Sequence, residues 1–249
     1  MLEETIEEIK VCRQFWHNQE AQKTLKGIIE AVKRGQSLQP YLLSLPLRDE
    51  ERYITWNLEG APLQNISLPD ADMKEVMLSY ADFTGANLKG ADFREASLYY
   101  ANLSGANLQG ANLEGCDITG VNFAGANLWN ASFRKCDGFE TDFTKANLSE
   151  ANFSKSRLTK ACLSGANLLN ANFTDASLIM VQFEEENMKR AITQNTKMKK
   201  SGSDYVFRIR VIDESQTDLT QVLSPRAIEA IEELERIKTI VDPPPRSNN

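Results

Sequence analysis

From Leu58 every fifth residue is large and apolar, with a single exception, through twenty-seven consecutive positions ending at Met188. Twenty-three of them are Leu or Phe, and the others are Met73, Ile118, Met188 and the exception, Gly138. Two residues before these positions stands Ala in seventeen cases, and one residue before stands Asn or Asp in eighteen, so the unit reads A-(N/D)-(L/F)-x-x. A period of five fits neither a helix, which repeats at about 3.6 residues, nor a strand, which repeats at about 2. Each unit must instead turn a corner, burying one bulky and one small side chain and leaving three facing water. Nine of the thirteen glycines fall two residues after the bulky position, where a corner needs freedom in φ.

The run ADFTGANLKGADFREASLYYANLSGANLQGANLEG resembles the pentapeptide-repeat family, and the match covers about half the chain without an insertion. That resemblance implies a mainly β fold, a right-handed quadrilateral parallel β-helix with four pentapeptides per coil. Twenty-seven units then make nearly seven coils, a stack roughly 30 Å long at an inter-strand spacing of about 4.8 Å. Sorting the bulky positions modulo twenty tests the four-sided layout. One column is Leu68, Leu88, Leu108, Leu128, Leu148, Leu168 and Met188, and the eight Phe of the repeat fall into two columns on opposite sides, Phe83, Phe123, Phe143, Phe183 and Phe93, Phe133, Phe153, Phe173.

The fourth column, Leu58, Leu78, Leu98, Ile118, Gly138, Leu158 and Leu178, is the irregular one. Its outward neighbours include Met77, Tyr80, Tyr99, Tyr100, Phe139, Ile179 and Met180, on a scaffold whose outward positions are otherwise mostly polar. An apolar patch of this kind suggests docking, either of the chain's own terminal segments or of a separate protein or second copy. Gly138 leaves a hole in the inward row, for which a local bulge or a displaced Phe139 is the expected filling. Cys116 and Cys136 take the small inward site of adjacent coils in the same column and are expected to replace Ala as buried thiols, and Cys162 is expected to face outward.

Four segments follow: an N-terminal helical cap over 1–55, the β-helix over 56–190, a C-terminal strand and amphipathic helix over 191–242, and a disordered tail over 243–249. In the first, Ile6, Ile9, Phe15 and Trp16, then Leu25, Ile28, Ile29 and Val32, predict two short helices covering the first coil. In the third, Tyr205, Phe207, Ile209 and Val211 alternate as in a strand. Ser224 and Pro225 then open a helix with an apolar stripe at Ile228, Ile231, Leu234 and Ile237. This helix packs on its own chain or serves a homodimer.

Chemistry is thinly represented. The single histidine, His17, reads as an ordinary helix residue, and neither nucleotide-binding glycine fingerprint occurs. No catalytic residue, cofactor or metal site is expected, and the many Asn and Asp read as stacked, solvated side chains. The formal charge of −7 resides mainly on the repeat, with no basic block for nucleic acid or an anionic surface. No run approaches the length of a membrane helix and the N-terminus lacks a signal-peptide core, so the expected compartment is the cytoplasm. The expected function is a non-catalytic scaffold or adaptor binding a protein partner, with no direct nucleic-acid contact and no membrane insertion. The alternative, drawn from the resemblance, is a DNA mimic that modulates a type II topoisomerase such as DNA gyrase.

Overall fold

The computed structural model describes residues 16, 17, 19–34 and 58–200. The chain divides into two units, residues 1–209 and 210–249, and the described residues all lie in the first. The expected strand over 205–212, the helix after Ser224, the tail and the first N-terminal helix lie outside the described residues.

From Pro62 onward the chain pairs in parallel with itself twenty residues later: Pro62 with Asp82, Asp82 with Asn102, and so on to Asn172 with Ile192. Twenty residues per coil is four sides of five. The unit around Phe83 shows why this sequence holds that shape. Asp82 N–H donates to Ala61 O in the coil below (3.0 Å), while Phe83 and Gly85 donate to Asn102 O and Ser104 O in the coil above (2.7 and 3.0 Å). Ala86 closes the corner turn by donating to Phe83 O at 2.9 Å. That leaves one backbone donor, Thr84 N–H, and it goes to Asp82 Oδ1 at 3.0 Å.

The Asn or Asp of each unit is therefore a structural part, since its side-chain oxygen satisfies the fifth amide, which would otherwise be orphaned. The bond recurs as Ser104 to Asn102 (3.2 Å), Ala124 to Asn122 (2.9 Å) and Thr174 to Asn172 (2.9 Å). Beyond the stacking expected of them from the sequence, these carboxamides and carboxylates complete the backbone.

Inside, Leu and Phe fill the bore with exposures near zero, and Ala leaves room beside them. The two Phe columns stack within themselves, Phe133 on Phe153 at 4.7 Å and Phe153 on Phe173 at 4.9 Å between ring centroids. Across the bore they meet edge to face, Phe123 with Phe133 at 5.6 Å and 85° and Phe143 with Phe153 at 5.5 Å and 86°, the arrangement that ring quadrupoles favour. Segregating Phe into opposite columns allows both contacts at once.

At the N-terminal end, helix α1 spans Gln19–Lys33. Ala21, Leu25, Ile28 and Ala31 recur at three- and four-residue steps and are buried in one cluster with Trp16 and the solenoid interior. Trp16 donates its indole N–H to Glu59 O in the first coil at 2.7 Å. His17 stands in the turn before α1, not in the helix, and is exposed.

Two expectations need correction. Coil pairing does not end at 190, because strands β1, Ser177–Val181, and β2, Lys197–Lys200, pair in parallel and carry the stacking through Lys200. The period is masked there because a short helix, α2 (Glu185–Met188), replaces one corner, yet Met188 still reaches the core. Gly138, in turn, produces neither a bulge nor a displaced Phe139. It keeps register, donating to Arg157 O at 2.8 Å, and a side chain there would meet Leu158 Cδ2 at 2.6 Å, Thr141 Oγ1 at 2.9 Å and Ile118 Cδ1 at 3.3 Å. Neighbours in the coils above and below already fill the gap.

Candidate interaction face

The irregular face is built from two outward rows that flank the corner after its bulky column. The corner residues Tyr80, Tyr100, Gly120, Glu140, Lys160 and Met180 all adopt left-handed φ, between 53° and 65°. This conformation throws their side chains along the corner. At the N-terminal side three tyrosines form one cluster: Tyr99 meets Tyr100 edge-on at 4.6 Å, and Tyr80 lies 5.8 Å from Tyr99 and 6.2 Å from Tyr100. Tyr100 leans onto the next coil, where a Cβ on Gly120 would fall 2.6–2.9 Å from its ring carbons. The aromatic ring occupies the space that the absent side chain leaves.

Exposure divides the sequence-predicted residues. Tyr80 is only 8% exposed, whereas Tyr100 is 36% exposed and Met77, Tyr99, Phe139, Ile179 and Met180 are half-buried. Tyr80 thus braces the cluster from beneath and presents little surface itself. Phe139 stands apart from the tyrosines, its ring covered by Lys160 Nζ at 4.9 Å, while the same ammonium pairs with Glu140 at 3.1 Å. Ile179 and Met180 belong to β1 at the far end.

Between these apolar groups runs a charged row, Asp117, Asp137 and Arg157. Arg157 Nη2 donates to Asp137 Oδ2 at 2.8 Å. Burial nonetheless raises the Asp137 carboxyl above its ordinary range, Arg157 pulling it down and neighbouring Asp117 adding to the rise. Beneath the row, Cys116 and Cys136 are free, buried thiols whose Sγ atoms donate to Phe93 O (2.8 Å) and Leu113 O (2.9 Å). Burial pushes Cys116 up to about 12 and Cys136 well above the usual thiol range, so neither is a ready nucleophile. Cys162 faces outward within 3.3 Å of Thr144 Oγ1.

The opposite face carries the stacked amides expected from the sequence, and beside them one feature that sequence reasoning missed. Asn87, Asn107, Asn127, Asn147 and Asn167 form a ladder in which each Nδ2 above Asn87 donates to the Oδ1 below, at 3.2–3.4 Å, and Asn87 Nδ2 donates to Ser67 Oγ at 3.3 Å. Beside it Trp129 and Leu169 are 37% and 48% exposed. Five Asn recur at intervals of twenty in no other row, and counting outward residues by column would have set Trp129 and Leu169 beside them.

Among the described residues no group of three or more His, Cys, Asp or Glu converges to hold a metal, and no helix is long and apolar enough to cross a membrane.

The profile of the pentapeptide repeats matches at residues 57–94, 78–115, 116–155 and 151–190, more than half of the chain. Among solved structures, the chain is similar to a pentapeptide repeat protein from the thylakoid lumen of Arabidopsis thaliana at 30% identity, covering 48% of this chain and 66%, just under two thirds, of that one (TM-score 0.31). It is also similar to QnrB1, a plasmid-mediated fluoroquinolone resistance protein, at 20% identity over 58% of this chain and 90% of that one (TM-score 0.37). A third is HetL from the cyanobacterium Nostoc, a protein involved in heterocyst differentiation regulation, at 23% identity over 60% and 85% (TM-score 0.28). None of the curated proteins compared with the chain matches it significantly. The family profile settles the lineage: the chain belongs to the pentapeptide repeat family, whose fold is the right-handed β-helix.

Proposed function

We propose that this chain is a non-catalytic scaffold of about seven coils that binds a protein partner through the irregular face. The observation that carries the reading is the clustering of Tyr99 and Tyr100 on Tyr80, in line with Phe139, Ile179 and Met180, which gathers more aromatic and apolar outward groups on this side than the exposed Trp129 and Leu169 give the opposite one. Aromatic rings held rigidly by a scaffold offer contact area at little cost in conformational entropy, which is why they anchor interfaces. The face has the chemistry to bind and no arrangement of acid, base and nucleophile with which to react.

The DNA-mimic alternative is weaker on electrostatic grounds. A mimic needs rows of unneutralised carboxylates, but Asp92 is held by Arg94 at 2.7 Å, Glu114 by Lys135 at 2.8 Å, Asp137 by Arg157 at 2.8 Å and Glu140 by Lys160 at 3.1 Å. Cations at contact distance cancel most of the field a phosphate-like surface would project.

Site-specific photocrosslinking in the native cell tests the reading. A benzophenone side chain at position 100 is expected to give a discrete adduct, and the same group at Gln109 on the opposite face is expected to give none. A matching pattern from both positions refutes it. Replacing Tyr99 and Tyr100 together by Ser should abolish the adduct obtained from position 139 while leaving the unfolding midpoint nearly unchanged.

A further inference from the structure

The side of the solenoid opposite the irregular face is an uncharged strip with a surplus of hydrogen-bond donors. In its Asn ladder the oxygens are spent. Asn107 Oδ1 accepts from Gln109 N–H and Asn127 Nδ2, Asn127 Oδ1 from Trp129 N–H and Asn147 Nδ2, and Asn147 Oδ1 from Ser149 N–H and Asn167 Nδ2. Two such bonds fill the lone pairs of an amide oxygen, but an amide nitrogen carries two N–H groups and the ladder uses one. The second N–H of Asn107, Asn127, Asn147 and Asn167 has no partner among the described residues, and neither has the Trp129 indole N–H. Donors thus recur at the rung spacing of about 4.8 Å over about 14 Å of the strip. Trp129 and Leu169 stand exposed in the adjacent row, two rungs apart, with buried Ser149 between them. Gly105, Gly110 and Gly125 border the strip, and a Cβ at any of them would meet nothing within 4 Å, so these edges are open.

These features select the ligand. The outward residues of the strip, Asn, Gln, Trp, Ser and Leu, carry no charge, and Lys145 and Glu150 on its bounding corners have opposite signs, so nothing favours an ion. A stable protein interface buries about 800 Å² on each partner, several times what four rungs of one face offer. An extended peptide laid along the rungs presents carbonyls on one edge about 6.6 Å apart, and falls out of step with donors about 4.8 Å apart. A β-linked glycan of the cellulose type meets every condition. It is a flat, uncharged ribbon whose rings each advance by nearly one rung. Its edges are lined with hydroxyl and ring oxygens that accept hydrogen bonds, and its faces carry C–H groups that the negative face of an indole attracts. We propose that the ladder from Asn107 to Asn167, with Trp129 as stacking platform, binds a neutral β-linked glycan chain lying along the solenoid axis. This goes beyond the docking of a protein on the irregular face, because it concerns another ligand on the other side of the solenoid.

Isothermal titration calorimetry of the full chain with cellopentaose, repeated with cellobiose and with the coiled, α-linked maltopentaose, tests it. Cellopentaose should bind saturably and about ten-fold tighter than cellobiose, which is too short to use the whole ladder, and maltopentaose should not saturate. Trp129→Ala removes the platform and should weaken cellopentaose about ten-fold. Asn167→Asp keeps the oxygen that Leu169 N–H needs, as Asp82 does for Thr84 N–H, and removes only side-chain donors. It should weaken cellopentaose about three-fold with the unfolding midpoint nearly unchanged. Tyr100→Ser, on the irregular face, should leave the affinity as it was. Absence of saturable binding, equal affinity for cellobiose or maltopentaose, or full affinity in either folded strip variant overturns the proposal.

Discussion

The corner residue decides how much each turn costs. Left-handed φ is nearly free for Gly and costs an L-residue about 1–2 kcal/mol, yet most described corners carry a side chain, among them Glu95, Lys155 and Met180. Glycine is thus a preference of this position and not a requirement, except where something occupies its space. Gly105 and Gly120 separate the two cases: both are left-handed, but a Cβ meets nothing within 4 Å at Gly105 and the Tyr100 ring at Gly120. Gly105→Ala should therefore lose only the backbone preference, about 1 kcal/mol. Gly120→Ala should lose that and displace Tyr100 besides, about 2–3 kcal/mol in all, through overpacking. Urea denaturation of the two variants checks the difference, and tyrosine fluorescence should change in Gly120→Ala alone.

At the scale of the pentapeptide, the alternation of Ala, Asn or Asp, and Leu or Phe was legible because each has a distinct job and the jobs recur without drift. The column sort found the Phe stacks for the same reason. What stayed hidden was the destination of each polar side chain. Asn127 and Asn122 look alike in sequence, yet Asn122 Oδ1 accepts from Ala124 N–H alone, whereas Asn127 also joins the ladder through Asn107 and Asn147. Replacing Asn122 by Ala leaves one amide unsatisfied, a cost of about 1–3 kcal/mol. Asn127→Ala should cost about 1 kcal/mol more, measured as a lower denaturation midpoint at unchanged slope. The irregular units were the least legible. Gly138 reads as a cavity along the chain because the side chains that fill it, Leu158 and Ile118, are twenty residues away on either side. Residues 191–200 read as a break because a helical corner at Glu185–Met188 suspends the five-residue rhythm while the coil continues beyond it.

For the whole solenoid, the sequence showed which face is irregular but not how its residues divide. Tyr80, Tyr99 and Tyr100 were equal candidates from position alone, and only the left-handed corners and the packing of one ring on another make Tyr80 the support and Tyr100 the surface. Nor could the sequence show that Glu114, Asp137 and Glu140 have cationic partners one coil away, since each pair is separated by about twenty residues. Because residues of the repeat lie over those twenty before them, apart from a one-residue shift between Ile179 and Val181, length in this chain acts as an angle. Removing residues 101–120 takes out one full revolution and returns all later side chains to the heading they had. Removing 101–105 keeps the five-residue grammar and the bore filled, but swings Phe139, Arg157 and Ser177 a quarter turn away from the tyrosines. Both shortened chains should unfold cooperatively by circular dichroism, and only the first should keep the crosslink from position 100. Change by duplication or loss can thus proceed in steps of five without losing the fold, and each such step re-aims everything downstream.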